Sequence, residues 1–207
     1  EEETSDGNDV RAVGEKGLAD YLAQANIGTF KDKGVKKIIT LSPHGYNALK
    51  NVYPALGGQF EVFHYSQVLS SLPADRIHAG RYEKKVTYHD PCYLGRWNNE
   101  YFAPRRLLGS IPGLTLVEME RNMNNALCCG GGGGNFFTDI LGTGPDLSSR
   151  ARVREAIGAG AEIIAVACPQ CYKMLDDAVK DEGVQERIRV KDIASILLES
   201  GPEGNPV

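Results

Sequence analysis

The sequence predicts an α/β protein with mostly parallel sheets flanked by helices, and two observations carry this prediction. Short apolar or β-branched runs alternate with helical stretches along the chain, which is the pattern of strand–helix–strand units. Residues 34–46 also align without a gap with residues 160–172, which indicates an internal repeat. We therefore expect Rossmann-like sheets in two pseudo-repeated halves: a truncated, degenerate half at residues 1–80 and a complete half at residues 81–207.

The predicted elements follow from local patterns. Strand candidates are short runs bounded by turn residues, at 37–41, 61–63, 86–88, 114–118, 163–167 and 187–190. Helix candidates lie between them, at 15–33, 43–52, 67–72, 103–108, 149–157, 169–179 and 191–198, with Ser148 or Ser149 as the N-cap of the helix at 149–157. We expect residues 1 to about 13 and residues 201–207 to be frayed tails.

Composition and charge exclude several classes of protein. With 207 residues, 42% of them hydrophobic and 24% charged, the chain can bury a sizeable core, which argues against a disordered or fibrous protein. A formal net charge of -4 gives no global basic field for nucleic acid. No apolar run approaches the roughly 20 residues that span a bilayer, and the N-terminus lacks the pattern of a signal peptide. Because the sequence begins with Glu1 rather than Met, we expect a processed chain or a piece of a longer polypeptide.

Five cysteines lie in the second half of the chain: Cys92, Cys128, Cys129, Cys168 and Cys171. An odd number of cysteines, with two of them adjacent, argues against a disulfide framework. In a reducing compartment such a set binds metal or performs redox chemistry more often than it forms disulfides. We therefore expect a cytoplasmic protein, with attachment to the periphery of a membrane complex as an open alternative.

The cysteines follow predicted strands, which indicates where they meet. Cys92 follows the run at 86–88, the pair Cys128 and Cys129 follows 114–118 through a polar loop, and Cys168 follows 163–167. Ligands of open parallel sheets gather at the carboxyl ends of the strands, so all five thiols can converge on one crevice. Cys171 comes three residues after Cys168, on the same face of the following helix.

Thiolate ligands favour zinc, copper(I) or an iron–sulfur cluster. Structural zinc takes four ligands, one fewer than this set offers, so a larger cluster uses the cysteines better. The glycine run after the cysteine pair suits such a cluster, because backbone without Cβ atoms approaches closely and aims N–H donors at sulfides. Gly130 and Gly131 are therefore candidate cofactor-binding residues, although a glycine run is also typical of a flexible linker.

These motifs resemble a known family. The cysteine pattern resembles the CCG (cysteine-rich) domain of heterodisulfide reductase catalytic subunits and related iron–sulfur oxidoreductases. The pattern consists of a lone cysteine, a Cys-Cys-Gly triplet and a Cys-Pro-Gln-Cys motif. The segment His-Asp-Pro-Cys-Tyr-Leu-Gly-Arg at residues 89–96 is also similar to the segment around the first cysteine in that family. The resemblance runs from about residue 15 to residue 200. It implies a noncubane [4Fe–4S] cluster with these ligands: Cys92, Cys128, Cys129, Cys168 and Cys171. Zinc stays the alternative that the thiols by themselves allow.

The first half departs from the family pattern. Members with two complete motifs carry a Cys-x-x-Cys there too, whereas this chain has Ser42-Pro43-His44-Gly45. Neither Ser42 nor Gly45 offers a thiolate, so we expect one cluster rather than two. The degenerate half would then cover the sheet and wall the crevice.

The resemblance implies a redox enzyme subunit of the heterodisulfide reductase type, an oxidoreductase acting on a sulfur group. Electrons would reach the cluster, which would reduce or form a disulfide in a thiol partner. His89 and His44 are the candidate catalytic residues, as sources of protons. The sequence has no further run of cysteines for a ferredoxin-like cluster, so an iron–sulfur or flavoprotein subunit would supply the electrons.

Two other functions stay open at this point. The chain could relay electrons between a flavoprotein and a membrane quinone pool, or it could be a structural zinc domain that assembles a complex.

Several single residues near the cysteines also have more than one explanation. Asp90 could orient the cysteine loop or move protons, Arg96 could neutralise a cluster, bind an acidic substrate or be solvated, and His64 fits a partly buried, hydrogen-bonded histidine.

Overall fold

The computed structural model describes residues 3–73, 76–77, 79–138, 142 and 144–201. Its strands are β1 (Lys37–Thr40), β2 (Glu61–His64), β3 (Lys85–Tyr88), β4 (Thr115–Leu116), β5 (Ile163–Val166) and β6 (Arg189–Asp192). Its α-helices are α1 (Asn8–Ala12), α2 (Lys16–Asp32), α3 (Pro43–Asn47), α4 (Tyr65–Ser71), α5 (Phe102–Gly109), α6 (Asn135–Thr138), α7 (Ser148–Gly158), α8 (Pro169–Asp181) and α9 (Ile193–Glu199). Residues 202–207 of the predicted C-terminal tail lie outside the described residues. None of the helices in the described ranges has the length and apolar character needed to cross a bilayer.

Strand pairing in the described residues is parallel throughout. β1 pairs with β2 in a two-stranded sheet, and the larger sheet has the order β4-β3-β5-β6. The predicted α/β fold with parallel sheets and flanking helices is therefore confirmed. In the larger sheet the strand order reverses between β3 and β5, because the chain adds β4 on one side and β6 on the other. Such a reversal opens a crevice at the carboxyl ends of the two central strands.

The central strand β5 is buried on both faces, as expected for an apolar strand in a covered parallel sheet. On one face, Ile164 lies in an apolar cluster with Val153 of α7 and Leu175 of α8. On the other face, Ile163 lies in a cluster that includes residues of α5 and α9, among them Ile193. Helices on both sides thus fix β5 and the residues that follow it.

The first half of the chain shares the core of the second. Tyr65 of α4 belongs to the same apolar cluster as α5 and α9, and its hydroxyl donates a hydrogen bond to Asp192 at 2.9 Å. Because α4 directly follows β2, this contact ties the small sheet to the large one. The division into halves at residues 80 and 81 stays a prediction, and packing crosses it.

One helix of the first half and the strand β4 differ from the prediction for local reasons. The helix predicted at 43–52 ends at Asn47 and continues as a π-helical turn (Ala48–Val52). A 3-10 turn (Tyr53–Leu56) follows and contains Pro54, which has no N–H to donate to a longer helix. The strand predicted at 114–118 is limited to Thr115–Leu116, the residues that pair with β3.

Helix starts in the second half also differ from the prediction. The helix predicted from residue 191 begins at Ile193, because Asp192 ends β6 and its side chain accepts the N–H of Ala194 at 2.8 Å. Neither Ser148 nor Ser149 caps α7. Both lie inside that helix, and the residue at the N-cap position, Leu147, has no capping side chain.

Residues 3–13 are folded, and the expectation of a frayed tail is wrong for them, whereas residues 1–2 lie outside the described residues. Asn26 of α2 accepts the N–H of Thr4 at 2.8 Å and donates to the carbonyls of Thr4 and Ser5, both at 3.1 Å. Gly7 follows with φ at 81°, and a Cβ there would lie 3.0 Å from the carbonyl oxygen of Ala19. A buried amide and a close backbone approach therefore hold a polar stretch against α2.

His64 ends β2 and caps α4. Its imidazole accepts the N–H of Ser66 at 3.4 Å, and the side chain of Gln67 accepts the N–H of His64 at 3.0 Å. This reciprocal pair satisfies two donors at the start of the helix. The imidazole is fully buried, and burial lowers its pKa to about 4.

We predict that His64 makes the free energy of unfolding fall in acid. Below pH 6.5 the unfolded chain protonates this histidine, whereas the folded protein resists protonation down to about pH 4. Between pH 7 and pH 5 the resulting loss is about 2 kcal/mol. In His64→Asn, which keeps a capping side chain, the loss over this interval should be smaller by that amount in urea denaturation. An equal loss in both proteins would contradict the role of His64.

Candidate metal centre

The five cysteines lie at the carboxyl ends of the strands of the large sheet. Cys92 follows β3, the pair Cys128 and Cys129 lies in the loop after β4, and Cys168 follows β5 at the start of α8. Cys171 lies in the first turn of α8. All five thiols are free; Cys129, Cys168 and Cys171 are buried, and the other two are half-buried. The crevice at the strand reversal is therefore lined by sulfur.

The five sulfur atoms form one contiguous series. The thiol of Cys92 hydrogen bonds with that of Cys128, which also contacts Cys129. Cys129 in turn contacts Cys171, and Cys171 contacts Cys168. Side chains from three separate loops, spread over residues 92–171, thus meet at one place.

Hydrogen bonding among the thiols shifts their pKa values in opposite directions. Bonds from Cys129 and Cys92 lower the pKa of Cys128, and a bond from Cys171 lowers the pKa of Cys168 to about 5. Contacts with Cys128, together with burial, raise the pKa of Cys92 and Cys129, and contacts with Cys129 and Cys168, together with burial, raise the pKa of Cys171. Without a cation the crevice therefore keeps protons, and a bound metal would displace them.

Helix α8 brings a backbone donor to the cysteines. Cys168 stands at the N-cap in an extended conformation, and Pro169 supplies the fixed φ that suits the first helical position. The N–H of Cys171 points at the sulfur of Cys168 and helps to lower its pKa. In the repeat-equivalent helix α3, the N–H of Gly45 donates to the hydroxyl of Ser42 at 3.3 Å. Ser42 thus caps α3 through its hydroxyl, whereas Cys168 stands at the N-cap position of α8 without a side-chain capping hydrogen bond.

The glycine run forms a defined loop around the cysteine pair. The N–H of Gly130 donates to the sulfur of Cys128 at 3.3 Å, and the N–H of Gly131 donates to Cys129. Gly130 has φ at 85°, and a Cβ on Gly131 would lie 2.9 Å from Cγ of Met174. Both glycines therefore have a local reason to lack a side chain, and they aim N–H groups at sulfur as predicted for a cofactor-binding loop.

Two ionic residues hold the loop that carries the cysteine pair. Arg105 donates to both oxygens of buried Asp90, at 2.7 and 2.9 Å, and Asp90 also accepts the N–H of Met123 at 2.8 Å. Arg96 donates to the carbonyl of Ala126 at 3.0 Å. Of the roles considered above, these contacts favour loop orientation for Asp90. They give Arg96 a backbone partner in the same loop.

His44 reaches the cysteines from the first half of the chain. Its Nδ1 lies 4.0 Å from the sulfur of Cys168, and its ring packs against Tyr93 with the ring centres 4.5 Å apart. Burial disfavours the charged imidazole, but the hydrogen bond and charge of Cys168, with Asp9 and Asp6, outweigh burial and raise the pKa of His44.

His89 reaches the same sulfurs from the end of β3. One ring nitrogen of His89 and the sulfurs of Cys129 and Cys171 all lie within 4.8 Å of one another. Its Nδ1 accepts Nε–H of Arg152 at 3.3 Å. Burial, and secondarily the charge of Arg152, lower the pKa of His89 to about 3. His89 is therefore neutral at ordinary pH.

Sequence reasoning missed Arg152, although a signal was present. Arginine in a helical stretch normally indicates a solvated position, yet α7 buries a stripe at the spacing 0, 3, 4 and 7, formed by Ser149, Arg152, Val153 and Ala156. It also missed the contact of Gln170 in α8 with Asp9, at 2.8 Å. That contact brings the folded N-terminal segment against the cysteine-bearing helix.

One cavity reaches the cysteines. It has a volume of about 580 Å³ and is lined by Cys129, Gly130, Phe136 and Met174 among others. A second cavity, of about 440 Å³, is lined by Tyr93, which follows Cys92, and by Trp97 and Asn8, but by none of the cysteines.

Comparison with known proteins agrees with the cysteine pattern. Residues 86–176 match the sequence model of CCG, described as a cysteine-rich domain. The chain is 37% identical over 205 residues to the probable iron-sulfur-binding oxidoreductase FadF of Bacillus subtilis, covering 96% of this chain and 28% of that protein. It is 36% identical to EtfAB:quinone oxidoreductase of Syntrophomonas wolfei, covering 95% of this chain and 28% of that protein.

A methanogen protein is similar at nearly the same level. The chain is 35% identical to a subunit of the dihydromethanophenazine:CoB--CoM heterodisulfide reductase of Methanosarcina barkeri, over 88% of this chain and 45% of that protein. The chain thus spans 28% to 45% of the length of these relatives. The family resemblance drawn from the cysteine spacing is confirmed, and the relatives are named as oxidoreductases or a reductase subunit, one of them as iron-sulfur-binding.

We predict that Cys128 is the most reactive thiol of the reduced, metal-free protein. Thiolates are the nucleophiles in alkylation, and Cys128 combines partial exposure with a strongly lowered pKa. Its rate of labelling by iodoacetamide should change little between about pH 8 and pH 5, whereas an ordinary thiol slows about tenfold per pH unit below its pKa. Mass spectrometry of the labelled peptides measures both rates. Cys128→Ser should remove the fast phase, and a fast phase at Cys92 instead would contradict the prediction.

Proposed function

Residues 86–176 of this chain belong to the CCG cysteine-rich domain family, and on that premise we propose that the chain is an iron–sulfur oxidoreductase module of the heterodisulfide reductase type. The proposed ligands are Cys92, Cys128, Cys129, Cys168 and Cys171. The proposed cofactor is a noncubane [4Fe–4S] cluster that reduces or forms a disulfide of a thiol partner. The observation that carries the proposal is the contiguous series of five free sulfurs from three strand-end loops.

The donor set fits an iron–sulfur cluster better than a zinc ion. Zinc in a structural site is satisfied by four ligands, and here the fifth thiol would be left buried or half-buried beside it. Backbone N–H groups of Gly130, Gly131 and Cys171 point at sulfur atoms. Such donors offset the negative charge of a thiolate-bound cluster.

The arrangement of the cysteines suits a reaction with an external thiol. When bound, the cluster would supply electrons singly to a substrate that needs two. Reduction of a disulfide consumes two electrons and two protons and yields two thiols. Cys92 and Cys128 are half-buried, whereas the other three cysteines are buried. The protein thus excludes water from one side of the centre and leaves the other side open to a partner.

Of the two histidines predicted to supply protons, His44 suits the task better. Against the effect of burial, the hydrogen bond and charge of Cys168 raise the pKa of His44, and its Nδ1 lies 4.0 Å from the sulfur of Cys168, so the site favours a protonated imidazole beside the reacting sulfurs. His89 has a pKa of about 3 and is neutral. We therefore assign the proton-holding role to His44 and a hydrogen-bonding role to His89.

The proposal includes partner subunits. One five-cysteine centre uses every cysteine of the chain, so electrons come from an iron–sulfur or flavoprotein subunit or from another part of a longer polypeptide. Five unpaired thiols suit a reducing compartment, and we place the module in the cytoplasm, at the periphery of a membrane complex.

A second candidate is an electron relay between a flavoprotein and a membrane quinone pool. The similarity to EtfAB:quinone oxidoreductase, at 36% identity, favours it. Thiol addition to the oxidised, cluster-containing protein separates the two functions. A new paramagnetic signal on adding a substrate thiol would support disulfide chemistry, and an unchanged spectrum together with fast quinone-linked reduction would support the relay.

Metal analysis tests the proposal as a whole. The chain purified anaerobically should contain four iron and four acid-labile sulfide per molecule, as a [4Fe–4S] cluster requires. One zinc per molecule without iron would overturn both redox functions and favour a structural zinc domain.

We predict that Cys171→Ser abolishes or converts the cluster. Cys171 contacts both Cys129 and Cys168, so its loss removes a ligand and separates Cys168 from the rest of the sulfur series. Iron content, visible absorption and the paramagnetic resonance spectrum of the reduced protein measure the effect. Tyr172→Phe is the matched control, because this exposed side chain on the same helix carries no sulfur. Unchanged iron content in Cys171→Ser would contradict the ligand set.

A further inference from the structure

Arg152 is a buried cation next to the cysteines, and the proposed function leaves it without a role. The residue is 1% exposed. Its Nη1 donates to the carbonyl of Arg121 at 2.6 Å and to the carboxylate of Glu155 at 2.5 Å. Its Nε donates to Nδ1 of His89 at 3.3 Å. Burying a cation in this way is costly unless its partners are well placed.

The contact with Arg152 determines which nitrogen of His89 carries the hydrogen. A guanidinium donates hydrogen bonds and accepts none, so Nδ1 of His89 must be the acceptor. In a neutral imidazole with a bare Nδ1, the hydrogen is on Nε2. Arg152 thus favours the Nε2–H tautomer of His89.

The other nitrogen of His89, Nε2, is buried and without a partner in the described part of the chain. Nε2 has no hydrogen-bond partner among the described residues, and a buried donor without a partner is unusual. One ring nitrogen of His89 lies within 4.8 Å of the sulfurs of Cys129 and Cys171. Since Nδ1 is occupied by Arg152, Nε2 is the nitrogen that is free to act on these sulfurs or on a cofactor that they bind.

We propose that Arg152 is a positioning residue that holds His89 as the Nε2–H tautomer, so that His89 donates a hydrogen bond to sulfur at the centre and does not ligate iron. A protonated nitrogen has no lone pair for a metal, which agrees with a ligand set made of cysteines alone. The tautomer follows from the protein contacts, whereas its effect on a cluster rests on the proposed function.

The neighbours of Arg152 make the arrangement rigid. Glu155 lies one turn further along α7 and accepts from Arg152, while Arg121 also donates to Glu155. The carbonyl of Arg121 belongs to the segment that leads to the cysteine pair. One guanidinium therefore joins α7, the loop after β4 and the end of β3, which fixes the direction of the imidazole.

The hydrogen bond should affect the redox potential of a bound cluster. Donors to sulfur stabilise the reduced, more negative form and raise the midpoint potential. Loss of Arg152 would free His89 to change tautomer and so would lower the potential in two ways, by removing a positive charge and by weakening the N–H donor. Only the second effect depends on His89.

The first test uses the metal-free protein and needs no cluster. With 15N-labelled histidine, NMR correlations of the imidazole nitrogens identify the tautomer of His89. We expect a single Nε2–H form in the wild type and in Arg152→Lys, which keeps a charged donor, and a mixture or the Nδ1–H form in Arg152→Met. An Nδ1–H form in the wild type, or an unchanged tautomer in folded Arg152→Met, would overturn the proposal. The wild-type spectrum decides this even if the Met variant does not fold.

The second test measures midpoint potentials in the cluster-containing protein for Arg152→Met, His89→Phe and the double variant. We expect the downward shift caused by Arg152→Met to be smaller in the His89→Phe background, because the part carried by the tautomer is already lost. Equal shifts in both backgrounds would show that Arg152 acts by charge alone and would overturn its action through His89. Absence of any iron–sulfur cluster would refute the proposed function and leave the tautomer test standing.

Discussion

Crowding of sulfur in a space with little water is the constraint on which this structure depends. Five thiols that touch one another cannot all ionise, since each thiolate would repel the next at short range. The protein manages this by sharing protons along the series from Cys92 to Cys168 and by aiming backbone N–H groups from the glycine loop and from the start of α8 at sulfur. A cation that replaces the shared protons would offset the remaining repulsion between the thiolates.

The convergence of the cysteines was predictable because it follows from chain topology. Residues after parallel strands meet at one sheet edge, and this rule needs only the positions of the strands. The orientation of the site was not predictable, because it depends on long-range partners. Asp90 pairs with Arg105 of α5 and with the N–H of Met123 in the loop after β4, and His89 pairs with Arg152 of α7. These partners are distant in sequence and are brought together by tertiary packing. The folded N-terminal segment was missed for the same reason, because the hydrogen bond that holds it joins Thr4 to Asn26, more than twenty positions away.

The two repeat copies share a backbone arrangement, but only the second copy carries cysteines. Ser42 and Cys168 stand at the N-cap positions of equivalent helices, although only the Ser42 side chain accepts a capping hydrogen bond, from the N–H three residues later. The equivalent strands differ in their surroundings: Ala165 and Ala167 are fully buried under helices, whereas Ile39 and Leu41 are 59% and 64% exposed. The first copy thus keeps the strand-to-helix arrangement of the second and contributes His44 to the shared crevice, with a sheet of only two strands among the described residues.

Gly45 makes the loss of sulfur from the first copy hard to reverse. A Cβ at this position would lie 3.1 Å from a carboxylate oxygen of Asp6 and 3.3 Å from the hydroxyl of Thr40. A thiol restored there would have to displace an acidic side chain that the N-terminal segment has moved into the space. Its thiolate would also face a negative neighbour. Regaining a second centre would therefore require coordinated changes in two distant stretches of the polypeptide, which makes single-step reversion a poor evolutionary route.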